Sequence, residues 1–113
     1  MLNLNESDFI GQYLKSYPND VVIIAYKASW CSYCVQLSSE YNKLDKLLLN
    51  KVIVAEIDVD KNKNLIQKNN NFLYGYKVNG YPTIVIYKNG YFIKQYDGER
   101  KATKMIQEVL KFI

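Results

Sequence analysis

The chain has 113 residues, 49% of them apolar, and its 15 Lys or Arg against 11 Asp or Glu give a formal charge of +4. This length fits one globular domain that buries a single core without metal or disulfide staples, and it excludes a two-domain enzyme or a disulfide-dependent miniprotein. No His is present, which excludes imidazole bases, His metal ligands and Ser/His/Asp triads, and the mild positive charge, with no long run of one sign, is a solubility term.

In chain order, Leu2 and Leu4 alternate with Asn3, enough for a short first strand. Ser7 is placed to cap a helix in which Phe9, Ile10, Tyr13 and Leu14 recur at helical spacing, ended by Pro18, Asn19 and Asp20. Val21 to Tyr26 is a continuous apolar run, the signature of a strand covered on both faces. A long helix from about Ser32 to Leu49 is expected to turn Val35, Leu37, Tyr41, Leu44 and Leu48 toward the core, followed by a strand at Val52 to Ile57. The polar, Asn-rich stretch from Asp60 to Asn71 reads as a longer loop with a short helix around Leu65 to Lys68. Asn89-Gly90 between the β-rich runs Thr83 to Lys88 and Tyr91 to Tyr96 predicts a tight hairpin. A last helix from about Lys101 to Phe112 should bury Met105, Ile106, Leu110 and Ile113. The order βαβαβαββα predicts an α/β class domain, with a central mixed sheet of about five strands flanked by helices over residues 1–113.

The chemistry concentrates where the apolar strand runs through Lys27, Ala28 and Ser29 into Trp30-Cys31-Ser32-Tyr33-Cys34 and the long helix begins. Cys31 therefore falls at a helix amino terminus, where the dipole and unpaired amides favour a thiolate. Cys34 lies nearly one turn on and deeper. At that spacing an exposed thiolate at Cys31 can attack a substrate disulfide and the second thiol can resolve the mixed disulfide. The competing readings are half of a metal site or two cysteines buried in a core. A closed zinc site wants four Cys or His ligands and the chain offers two, whereas simple burial leaves the helix-start position unexplained. No stretch approaches the roughly 20 apolar residues of a membrane span, and the start MLNLNESDF has no basic segment leading into an apolar one. A cytoplasmic location is the expectation.

Trp30-Cys31-Ser32-Tyr33-Cys34 after a buried strand, with Gly80-Tyr81-Pro82-Thr83 ahead of the next, resembles the thioredoxin family, and most of all the catalytic domains of protein disulfide isomerases. The likeness extends through Leu37-Ser38-Ser39-Glu40-Tyr41, the Tyr76 to Ile84 segment, Lys88-Asn89-Gly90 and Tyr96-Asp97-Gly98-Glu99-Arg100, covering nearly the whole chain. It implies a thioredoxin fold, with Cys31 as nucleophile, Cys34 as resolving cysteine, and Pro82 as a cis proline opposing them. Composition alone favours a trans proline opening an edge strand, since only about 5% of X–Pro bonds in folded proteins are cis. A cis bond would leave the Tyr81 backbone free to pair with an extended substrate segment, so Trp30, Tyr81 and Pro82 form the expected substrate surface.

Departures from the family pattern are as informative. Ala25 stands where the family carries a buried acid, and Glu56 where it carries the neighbouring Lys. Glu56 is thus a candidate proton acceptor for Cys34, set against a plain solvent-facing strand position. Ser39 replaces the Pro that often kinks the long helix, and the Asp60 to Pro82 stretch is several residues longer than in compact relatives, close enough in sequence to border a substrate groove. Arg100, the single arginine, matches the isomerase Arg that can swing inward, a candidate stabiliser of the Cys34 thiolate. A solvated surface Arg is the alternative. Lys27 replaces a family aromatic and brings positive potential near Cys31.

The expectation is a monomeric thiol-disulfide oxidoreductase acting on protein disulfide or dithiol substrates, with a separate reductase or oxidant to recycle it. It would need no metal and no organic cofactor, and would bind neither nucleic acid nor membrane. A glutaredoxin also tolerates Cys-x-Tyr-Cys but usually lacks the preceding Trp and carries Thr-Val-Pro where this chain has Gly80-Tyr81-Pro82. A binding module whose redox activity is incidental, and a metal or iron-sulfur site shared between molecules, remain as further alternatives.

Overall fold

A computed structural model describes residues 1–68 and 80–113, with the backbone alone at 66–68. Leu2–Asn3 forms a short edge strand, β1, and Val21–Lys27 forms β2. Every residue from Val22 to Tyr26 is buried, as the unbroken apolar run requires. Helix α1 spans Ser32–Leu47, β3 Ile53–Asp58, α2 Lys63–Lys68, β4 Thr83–Lys88, β5 Tyr91–Tyr96 and α3 Ala102–Val109, with a 3-10 turn at Leu110–Phe112. The sheet order is β1-β3-β2-β4-β5. β3 runs parallel to β1 and β2, while β4 is antiparallel to β2 and β5, giving the expected five-stranded mixed sheet.

Side-chain alternation along β2 divides the core between two faces. Ile23 and Ala25 point to the face covered by Leu37, Tyr41 and Leu44 of α1 and by Ala102, Met105 and Val109 of α3. Val22, Ile24 and Tyr26 point to the opposite face, where Phe9, Leu14, Leu65 and Tyr87 pack. Along α1, Leu37, Tyr41, Leu44 and then Leu48 follow the 4-3-4 spacing of one helical face, and all are buried. Tyr41 ties this helix to the sheet through its hydroxyl, which donates to the carbonyls of Ile23 at 3.1 Å and Ala55 at 2.7 Å. Glu40 ties it to α3, accepting the Ala102 amide at 3.0 Å. That contact serves a helix start whose own N-cap residue, Lys101, supplies no side-chain cap.

The hairpin forms as its sequence dictates. Asn89 and Gly90 both take positive φ, 54° and 84°, the backbone that a two-residue turn between twisted strands needs. Gly90 is required for a second reason: a Cβ there would collide with the Tyr13 ring.

The expected first helix is not formed. Asn5, rather than Ser7, caps a single 3-10 turn at Glu6–Asp8, its side chain accepting the Ser7 amide at 2.9 Å while Asp8 accepts the Asn5 amide at 2.9 Å. Phe9 then leaves in extended conformation, Gly11 takes φ +57°, and an Ile10–Tyr13 bridge closes a turn. Phe9 and Leu14 are still buried, so apolar residues at helical spacing reach the core from a loop, held by the Leu14 amide on the Gly90 carbonyl at 2.9 Å.

Three burial expectations are also corrected. Val35 lies on the exposed side of α1, and Leu110 and Ile113 are exposed because the last helix tightens to 3-10 after Val109; Ala102 and Val109 occupy the core with Met105 instead, and Ile106 is half-buried. The α2 helix falls near its expected place. The rest of the Asn-rich stretch, and residues 76–79 of the Tyr76 to Ile84 segment, lie outside the described residues.

Candidate active site

The parallel pairing of β2 with β3 and the antiparallel return of β4 bring three chain segments to one end of the sheet. Tyr26 is in register with Thr83, and Lys27 with Asp58, so the chain leaves β2 into the Trp30–Cys34 segment beside the Gly80–Pro82 turn. The Thr83 hydroxyl fixes that turn by donating to the Gly80 carbonyl at 2.7 Å. The Tyr81–Pro82 peptide bond is cis.

Cys31 is the N-cap of α1. Its sulfur accepts the Cys34 amide at 3.1 Å, one of the free amides that a helix start presents, and its thiol lies 3.3 Å from the Tyr81 carbonyl, to which it donates. Two opposed groups thus meet one sulfur: an amide that favours the thiolate and a carbonyl that favours the thiol. Contrary to the expectation of an exposed thiol, Cys31 is 7% exposed, close to the 3% of Cys34. Trp30 stands over it, 69% exposed, with its ring edge-on to Tyr81 at 6.0 Å and its indole N–H on Asp60 at 3.4 Å. Burial, followed by the hydrogen bond with Cys31, pushes the Cys34 thiol from the ordinary 9.0 up to about 11. Burial likewise raises the Tyr81 phenol, with the Asp60 carboxylate adding to it. The two cysteines are chemically unequal.

Behind Cys34 opens a cleft of about 570 Å³ that Lys27, Ser38, Glu56, Asp58 and Lys61 also line. Register explains the pair at its floor: Glu56 is in register with Ala25, so Lys27, two residues on, is its diagonal neighbour on the α1 face of the sheet. The Lys27 ammonium meets the Glu56 carboxylate at 2.9 Å and lies 5.2 Å from the centre of the Tyr41 ring. Glu56 is therefore not a free solvent-facing side chain. Lys27 turns into the cleft on the Cys34 side, a placement the sequence reading, which set it near Cys31, missed. Its signal was present only as an inward cation and an inward anion on strands whose register was unknown.

Arg100 is exposed in the bend before α3 and, among the described residues, makes no hydrogen bond or ion pair. The bend is shaped by the Tyr96 hydroxyl, which donates to the Glu99 carbonyl. Also among the described residues, no group of three or more Cys, Asp or Glu side chains is placed to hold a metal ion, and no helix is long and apolar enough to cross a membrane.

A thioredoxin family model matches residues 1–111. Protein disulfide isomerase-like 1-1 of Arabidopsis thaliana is 30% identical over 115 residues, covering 98% of this chain and 21% of that protein. Protein disulfide-isomerase like 2-2 of the same plant is 33% identical over 113 residues, covering 100% of this chain and 23% of that protein. The chain spans about a fifth of the length of these curated relatives. Among solved structures, zinc-bound human ERp44 superposes with a TM-score of 0.76 at 19% identity, over 98% of this chain and 29% of that one. The first two thioredoxin domains of Naumovozyma dairenensis Eps1p give 0.77 at 21% identity, over 96% of this chain and 39% of that one. Matched from residue 1 to residue 111, and alike in fold to both structures, the chain belongs to the thioredoxin family.

Proposed function

We propose that this protein exchanges dithiol for disulfide on protein substrates through Cys31 and Cys34. The observation that carries the reading is the inequality of the two thiols: Cys31 caps α1 and receives an amide hydrogen bond, while burial holds Cys34 protonated to about pH 11. The Cys31 thiolate attacks one sulfur of a substrate disulfide, forming a mixed disulfide and releasing the other sulfur as a thiolate. Cys34 then loses its proton and attacks Cys31, so the second substrate sulfur leaves and a Cys31–Cys34 disulfide remains. A separate dithiol reductant, or a disulfide oxidant for the reverse direction, completes the cycle.

In this reading Trp30, Tyr81 and Pro82 form the surface on which an extended substrate segment lies, supported by the exposure of Trp30 and by the Tyr81 carbonyl beside the attacking sulfur. Glu56 takes the Cys34 proton through water in the shared cleft, supported by its place on the cleft wall. Arg100 aids the same step only by swinging from its exposed bend, and Arg100→Gln should slow mixed-disulfide decay if it does. The protein acts as a monomer in the cytoplasm, which sedimentation and cell fractionation test.

Insulin reduction with dithiothreitol tests the whole reading. Cys31→Ala should abolish turnover; turnover retained by that variant would remove Cys31 from the reaction. Activity confined to glutathione mixed disulfides would transfer the protein to the glutaredoxin class.

A further inference from the structure

We infer that Lys27 is a positioning residue for the resolving step, its ammonium held between Glu56 and the Tyr41 ring so that it faces the Cys34 sulfur as that sulfur becomes an anion. The inference rests on the proposed dithiol chemistry, but its test does not require turnover. Lys27 is the last residue of β2, where an aliphatic or aromatic side chain would close the sheet against α1; its side chain is only 18% exposed. A lysine largely withdrawn from water is steadied by a counterion, and Glu56 supplies it at 2.9 Å. The Tyr41 ring, 5.2 Å from the ammonium, adds a second attraction, and Tyr41 is itself immobilised by its two strand carbonyls. The ammonium is therefore fixed rather than trailing into solvent.

The groups facing Cys34 come from four sides: Cys31 on its own helix, Tyr81 from the opposing turn, Lys27 from β2, and Glu56, Asp58 and Lys61 at the cleft. Two cations balance two carboxylates there. Asp58 is engaged by the amides of Asp60 at 2.9 Å and Lys61 at 3.3 Å, and Lys61 is exposed. Lys27 is thus the ordered cation of the set. When the Cys34 proton leaves, the sulfur gains a negative charge in a poorly solvated place, and a fixed ammonium offsets the cost of that desolvation. The thiolate then attacks the Cys31 sulfur, the new S–S bond forms, and the substrate sulfur departs with the electron pair of the broken bond. Lys27 gains and loses no proton in the step.

The test is the ionisation of Cys34 in a Cys31→Ala background, followed as the rate of its alkylation by iodoacetamide against pH. Adding Lys27→Gln should move the Cys34 midpoint upward, with roughly a twofold loss of thiolate at a given pH, and Lys27→Arg should restore most of it. An unmoved midpoint in Lys27→Gln overturns the inference whatever turnover does. A shifted midpoint in a protein that fails to reduce insulin would instead overturn the proposed function and leave Lys27 with its electrostatic role.

Discussion

The amide of Cys34 donates to the sulfur of Cys31 at 3.1 Å, so the backbone of Cys34 serves the neighbouring sulfur while its own side chain stays protonated in the core. One residue separates the two thiols' chemistry. Cys31 should accordingly be the thiol that iodoacetamide modifies at neutral pH, with Cys34 reacting appreciably only as the pH approaches about 11. Peptide mapping after a short pulse decides it, and preferential labelling of Cys34 would reverse the assigned roles.

Alkali should loosen the fold through the same group. The folded-state value of Cys34 lies above its ordinary 9.0, so its contribution to stability is full below pH 9 and is lost as the pH rises through about 11. Cys34→Ala should flatten the fall in melting temperature between those limits, as thermal melts would show. Acid acts in the opposite sense. The Lys43 ammonium, then the Ala102 amide, hold the Glu40 carboxyl below the usual 4.5, so its contribution is present above that value and fades as the pH falls below it. Glu40→Gln should flatten the acid limb.

Tyr41 is the bolt between α1 and the sheet. Tyr41→Phe leaves the ring in place but removes the donor to the Ile23 and Ala55 carbonyls, and should cost about 1–3 kcal/mol in urea unfolding. A loss below about 0.5 kcal/mol would mean those carbonyls are satisfied by their strand partners alone.

The end of the chain offers a paired contrast. Met105 is fully buried between α3 and the sheet, so Met105→Ala should cost about 2–5 kcal/mol, whereas Leu110→Ala, at an exposed position on the terminal 3-10 turn, should stay within about 0.5 kcal/mol. Comparable losses from both would return Leu110 to the core.

These contrasts mark what was readable from sequence. Strands β4 and β5 match the expectation to the residue because Asn89-Gly90 admits few other backbones, and β2 announces itself by six consecutive apolar residues. The place of Cys31 at a helix start was legible because the apolar run of β2 ends just before the Trp30–Cys34 segment, and Cys31 caps α1 as expected. The first helix misled because Phe9 and Leu14 satisfy a helical period while being buried from a loop, and Gly11 at positive φ interrupts the helix. The Lys27–Glu56 contact was invisible for a different reason. It depends on which residues face one another across β2 and β3, and a one-residue change of register would put the two on opposite faces. The same limit applies to Trp30 and Asp60, joined only after the chain has returned from β3.

The most direct measurement of the central claim is the intact mass of the Cys34→Ala protein after incubation with a disulfide-bonded protein substrate, followed by peptide mapping of any adduct. A stable mixed disulfide through Cys31 is expected, absent from Cys31→Ala and released by dithiothreitol. No adduct in Cys34→Ala under conditions where the unmodified protein reduces that substrate would contradict attack by Cys31 and resolution by Cys34.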